Sequence, residues 1–139
     1  MAESLRRMVA VLVVAAAAFA LAPLALAEKV VLQVSDSNPT TWNQALNVVG
    51  NLREVYGPAT EIELVAFGQG INMLKLDAPV ASRLVDAQKS QGAKIYACEN
   101  SMARQKLARD DMAPGLIYVR AGIEHIITRQ REGWVAVRP

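Results

Sequence analysis

The chain has 139 residues, with 15 Lys and Arg, 13 Asp and Glu and one His, which is room for one ordinary domain. Its charges nearly cancel, which excludes a nucleic-acid binder built on a basic stripe, and its 53% apolar content excludes a disordered chain. One Cys and one His exclude a disulfide scaffold and leave no set of ligands for a thiolate zinc site, so neither a metal nor a cofactor is expected.

Arg6 and Arg7 precede an uncharged run from Met8 to Ala27 that contains Pro23 and ends in Ala25-Leu26-Ala27. A basic start, an apolar middle and a small-x-small end describe a secretory signal peptide covering residues 1–27, with cleavage after Ala27. The run is also about long enough to span a bilayer, so an uncleaved anchor is the rival reading, and contact with a membrane is expected only in that case. Pro23 and the alanine pair favour cleavage, and the apolar run holds no lipobox cysteine. Removing residues 1–27 takes away two basic residues and one acidic residue and leaves 112 residues at net +1. That domain, residues 28–139, is expected to be periplasmic or secreted.

Lys29–Val34 is a short β-branched run ending in Ser35-Asp36-Ser37-Asn38-Pro39, which reads as a strand buried on both faces and then a turn. Thr40 or Thr41 can cap a helix reaching Tyr56, where Ala45, Leu46, Val48, Val49, Leu52 and Val55 recur at three and four and Gly57-Pro58 stops them. Glu61–Phe67 suits a second strand that Gly68-Gln69-Gly70 ends. Ile71–Leu76 is a helical turn or an extended piece. Asp77 is the expected cap of a helix running to Gln91, with Pro79 in its first turn, Gly92 at its end and Val80, Leu84, Val85 and Ala87 inward.

Lys94–Cys98 predicts a third strand, and Met102–Arg109 a third helix. Leu116–Val119 follows as a fourth strand, then a helix from Gly122 through Ile123 to Arg131, then a terminal strand over Trp134–Arg138. Strand and helix alternate with no linker and no repeat. That pattern means βαβ crossovers and a parallel sheet covered on both faces, a single three-layer α/β/α domain.

Open parallel sheets bind ligands at the carboxyl ends of their strands. The good nucleophile at those ends is Cys98, which ends a strand just before a helix, where N–H groups and the helix dipole lower a thiol pKa. Asn100 or Ser101 can cap that helix. A buried, inert cysteine is the competing reading. Gly68-Gln69-Gly70 can present N–H groups to an anion, but it lacks the spacing of either phosphate fingerprint and reads first as a turn. Asp36 belongs to turn and cap chemistry. His125 reads as a surface or interface residue facing away from Ile123 and Ile127. Arg104, Lys106 and Arg109 read as a solvated face that can also steady a thiolate, and Trp42 and Trp134 as packing or interface residues.

The mature chain resembles the DsrE/DsrF-like family of small sulfur-relay proteins over nearly its whole length. The likeness is carried by Val31–Asp36, Trp42-Asn43, Ala45–Asn47, Glu63–Ile71, Ala93–Met102, Pro114-Gly115, Ala121-Gly122, Gln130–Gly133 and Val137–Pro139, in that order. The resemblance implies a five-stranded parallel sheet between helices and a homo-oligomer such as a trimer or hexamer. It also implies a persulfide on the cysteine after the third strand, here Cys98. The strand-end positions make Gly68, Gly70, Asn100 and Ser101 the expected substrate-binding residues. The partners would be sulfur donors and acceptor thiol proteins, or small sulfur species. The relatives work in the cytoplasm, whereas this chain carries an export signal. A sulfur carrier is therefore the first functional reading. A small-anion-binding or assembly module, or a thiol redox sensor acting through an intermolecular disulfide, is the alternative.

Overall fold

β1 spans Lys29–Val34, and its side chains alternate between two buried environments. Val30, Leu32 and Val34 enter the larger core, while Val31 enters a smaller one on the opposite face. This is why the strand reads as largely apolar: with both faces covered, only Lys29 at its start and the half-buried Gln33 are polar. The structure, a computed structural model, describes residues 1–4 and 26–139, so the expected signal segment lies almost entirely outside the described residues. Among the described residues no helix is long and apolar enough to cross a membrane.

Five parallel strands form one sheet in the order β4-β3-β2-β1-β5, where β2 is Glu61–Ala66, β3 Lys94–Cys98, β4 Ile117–Val119 and β5 Val135–Val137. On one face lie α1 (Pro39–Tyr56), a 3-10 segment (Gly68–Leu74) and α2 (Ala81–Lys89), which bury Leu46, Val49, Ile71, Met73 and Leu84 against the even-numbered residues of β1 and β2. The short α3 (Glu99–Arg104) sends Met102 into the same core. Among the described residues the opposite face is covered by α4 (Gly122–Arg131) alone, with Ile126 packed among Val31, Val65, Tyr96 and Trp134. The architecture is a single three-layer α/β/α domain, as the alternation of elements predicts.

Three helix starts differ from expectation. α1 is capped by Asn38, whose Oδ1 accepts the Thr40 N–H at 2.9 Å, because Pro39 is well suited to the first helical position and so puts the cap two residues before Thr40. Asp77 caps nothing: α2 starts at Ala81, and Asp77 lies exposed at 3.5 Å from Lys75. A tertiary tie overrides the local signal there, since the Leu76 N–H donates to the Asp111 carbonyl and Lys75 bridges Met112. α3 starts directly after Cys98, not at Met102. It is over by Gln105, where Lys106 takes a left-handed φ of 55° and the Leu107 N–H turns back to the Met102 carbonyl.

The connections after β1, β2 and β3 stay on the larger-core face, whereas the one after β4 crosses the other. Adjacent strands β3 and β4 therefore send their chains to opposite faces. Such a divergence opens a crevice at the carboxyl end of a parallel sheet.

Candidate functional site

Cys98 is the last residue of β3 and pairs in register with Val119, the last of β4, so it stands at that divergence. A cleft of about 200 Å³ opens there, with Cys98, Gly68, Asn100, Ser101, Arg104 and Gly122 among its walls. Of the residues that the sequence assigns to the site, the structure brings together Cys98, Gly68, Asn100 and Ser101. Gly70 does not line the cleft. It is buried under the end of β1, where a Cβ would collide with the Val34 carbonyl, so its smallness serves packing.

Local geometry holds the cleft in shape. Ser101 is buried, and its Oγ accepts the Gly68 N–H at 2.7 Å, while Gln105 Nε2 donates to the Gly68 carbonyl at 3.0 Å. Gly68 itself sits at φ 55°, a conformation that favours glycine. On the other wall the Asn100 N–H donates to the Arg120 carbonyl at 3.1 Å, joining the start of α3 to the end of β4. Neither Asn100 nor Ser101 caps α3; Cys98 occupies the cap position, with no side-chain cap bond.

The thiol is 4% exposed, and burial pushes its pKa up. Hydrogen bonds from the Ser101 side chain and from the backbone N–H groups of Gly122, Ser101 and Asn100 outweigh burial and hold the thiol below its ordinary value. Gly122 packs closely on this side: a Cβ there would meet Phe67 Cβ at 3.0 Å, Val65 Cγ1 at 3.1 Å and Cys98 Cβ at 3.4 Å. As a protonated thiol, Sγ lies 3.9 Å from the Arg120 carbonyl.

Arg104 is the one cation of the expected basic face that lines the cleft. Arg109 instead pairs with Glu99 at 3.1 Å and stacks on Tyr118 at 4.2 Å, beyond the end of α3.

His125 is a correction. It does not face solvent: its ring stacks on Tyr96 at 4.2 Å, and Nε2 lies 2.7 Å from Glu63 Oε2, with the side chain 14% exposed. Glu63, 1% exposed on the central strand, also takes a two-pronged contact from Arg129, Nε to Oε2 and Nη2 to Oε1, both at 2.9 Å. Tyr96 Oη donates to Oε1 at 3.1 Å. Burial alone would raise the Glu63 pKa, but Arg129 and His125 outweigh it and keep the carboxyl below its ordinary value. The same cluster raises Tyr96, through burial first and then the Glu63 charge. Sequence reasoning missed this cluster. Its one signal is Glu63 itself, a carboxylate inside the strand Glu61–Phe67 just before it turns apolar.

No family model matches the chain, and no curated protein matches it. Solved structures do. MTH1491 from Methanobacterium thermoautotrophicum, described as a protein of unknown function, is 28% identical over 81% of this chain and 99% of its own, with a TM-score of 0.75. The YchN protein of E. coli is 11% identical over 82% of this chain and 100% of its own, with a TM-score of 0.62. The fold is DsrE-like. BT1422 from Bacteroides thetaiotaomicron, a conserved protein of unknown function, adds a TM-score of 0.64 at 15% identity over 81% of this chain and 95% of its own. The DsrE-like sheet places its strand ends, and with them the cleft, where the sequence expects chemistry.

Proposed function

We propose that this protein carries sulfane sulfur as a persulfide on Cys98. The observation that carries the reading is the setting of Sγ: a thiol in the wall of a cleft at the carboxyl end of the sheet, with the Ser101 hydroxyl and the start of α4 beside it and its pKa held below the ordinary value. Those groups stabilise negative charge on sulfur, which is the form that attacks. The DsrE-like fold supports the same reading, because Cys98 follows the third strand, as the persulfide cysteine does in the relay proteins that the sequence resembles.

The transfer is a pair of sulfur-to-sulfur exchanges. The Cys98 thiolate attacks the terminal sulfur of a polysulfide or donor persulfide. A bond forms from Sγ to that sulfur while the donor's own S–S bond breaks, and the donor leaves as a thiolate. An acceptor thiolate then attacks the outer sulfur, and Cys98 departs with its electron pair. The leaving groups are thiolates and need no proton, which suits a cleft without an acid at hand. Arg104 at the rim offers a charge to the anionic donor.

Export is part of the proposal. The carbonyl of Glu28 accepts the Glu61 N–H at 2.9 Å, so cleavage after Ala27 spares every bond of the sheet. Assembly with further copies is proposed as well, since Ile117, Ile123 and Ile127 stand 40–50% exposed on the α4 side.

The burial of Cys98 favours a second reading, a binding or assembly module with a packed cysteine. Intact mass after exposure to polysulfide separates the two. The expected result is a gain of whole sulfur atoms that reductant reverses and that Cys98→Ser abolishes. A folded protein that gains none overturns the carrier reading.

A further inference from the structure

α4 has a thin purchase on the sheet. Ile126 is its one buried apolar side chain, while Ile123 and Ile127 face outward at 50% and 42% exposure. One apolar peg leaves a helix free to rotate about it and to slide along the strands. The remaining anchors are His125 and Arg129, one turn apart on α4, and both close on the same buried carboxylate of β2. The Arg129 contact is two-pronged, which sets orientation as well as distance. Glu63 Oε1 is completed by Tyr96, so both oxygens of the carboxylate are occupied.

At the other end of the same helix, three residues before His125, the backbone of Gly122 lies against Cys98, where an added Cβ would press on Phe67 and Val65 and touch Cys98 Cβ at 3.4 Å. The start of α4, with the Gly122 N–H and the positive end of the helix dipole, lies beside Cys98. Where α4 sits therefore decides what the thiol feels. We infer that Glu63 is a positioning residue for Cys98: by clamping His125 and Arg129 it fixes the height and rotation of α4, and so keeps the Gly122 N–H and the positive end of the helix on the sulfur. The inference deepens the carrier reading and rests on it for its biological purpose. A buried ion pair is a weak source of net stability, because well-packed apolar residues hold a helix as firmly. Its geometric definition is what apolar packing lacks.

The charged and titratable groups around the clamp are Tyr96 from β3 and His125 and Arg129 from α4, with Glu132 holding Arg129 Nη1 at 2.8 Å and Lys94 beside Glu63 in the register, exposed. Around the sulfur the charged side chain lining the cleft is Arg104. Glu63 acts on the thiol through the helix, and a loss of fold stability alone does not reproduce its effect.

The test is the Cys98 thiol pKa, read from thiolate ultraviolet absorbance against pH as the difference from Cys98→Ser, and repeated as the pH dependence of iodoacetamide alkylation. The proteins are the wild type, Glu63→Gln, His125→Gln and Leu46→Ala. The last removes a buried side chain from the opposite face and serves as a control for lost stability. Glu63→Gln is expected to raise the thiol pKa by about one unit, a roughly tenfold fall in thiolate below that pKa. His125→Gln, which leaves the Arg129 fork in place, is expected to raise it by less. Leu46→Ala is expected to unfold more easily and to leave the pKa where it was. A folded Glu63→Gln with the wild-type thiol pKa overturns the inference, as does an equal rise in Leu46→Ala. Where Glu63→Gln does not fold, His125→Gln decides by the same criterion. Sulfur uptake is not part of this readout, so a wild type that takes up no sulfur overturns the carrier reading while the pKa series still decides the role of Glu63.

Discussion

The Ser101 hydroxyl accepts the Gly68 N–H at 2.7 Å and helps to hold the Cys98 thiol below its ordinary pKa, so one oxygen both shapes the cleft and tunes its nucleophile. Ser101→Ala leaves a partly buried N–H without a partner, for about 1–3 kcal/mol of stability, and raises the thiol pKa. Urea unfolding and the thiolate titration read the two effects separately; an unchanged titration removes Ser101 from the site. Gly70→Ala is a purely structural contrast. Its methyl group would run into the Val34 carbonyl, backbone that cannot swing aside, so a loss of about 3 kcal/mol or more is expected in the same unfolding experiment. Cys98, Gly68, Asn100 and Ser101 were legible in the sequence because each lies next to the end of a strand, and strand ends follow from apolar patterning. Glu63 was not, since its partners His125 and Arg129 lie 62 and 66 residues further along and only the folded sheet brings them to it.

Helix α4 is the element whose attachment titrates. Glu63 is ionised in the clamp, and its folded pKa lies below its unfolded one, so its contribution to stability is complete above the unfolded value and is lost as pH falls through the lower, folded value. Unfolding free energy from urea titrations is therefore expected to hold steady down to about pH 5 and to drop below it, and Glu63→Gln is expected to flatten that drop. A variant that keeps the full acid-dependent loss shows that other carboxylates cause it. The other helices mark where local signals stop being sufficient. Asp77 and Pro79 make a good start signal for α2. It is overruled because Lys75 and Leu76 are tied to Asp111 and Met112, a contact that no local pattern contains. α1 has no such competitor, and its apolar spacing and its Gly57-Pro58 stop gave its end correctly.

At the scale of the whole molecule, the alternation of strands and helices was enough for a parallel three-layer domain, but it is silent on the order of strands. Handedness supplies the missing step. Crossovers that run from β1 to β2, β3 and β4 move across the sheet in one direction, and being right-handed they keep their helices on one face. The last connection runs back from β4 past three strands to set β5 beside β1, and the same handedness then puts α4 on the other face. That reversal opens the cleft at Cys98, and among the described residues it also leaves five strands under a single helix, with Ile123 and Ile127 turned outward from it and Ile117 exposed on the edge strand beside it. Exposed aliphatic groups on one side of a sheet fit contact with another protein surface better than contact with water. The proposed assembly uses this side, so Ile127→Lys is expected to lower the mass of the mature protein by light scattering to that of one chain, with the fold unchanged by circular dichroism. Ile123 also lines the cleft, so a copy seated there narrows the approach to Cys98, and the dissociated variant is expected to be alkylated faster than the wild type. A wild type that scatters as a single chain overturns the assembly and leaves the chemistry of Cys98 to a lone domain.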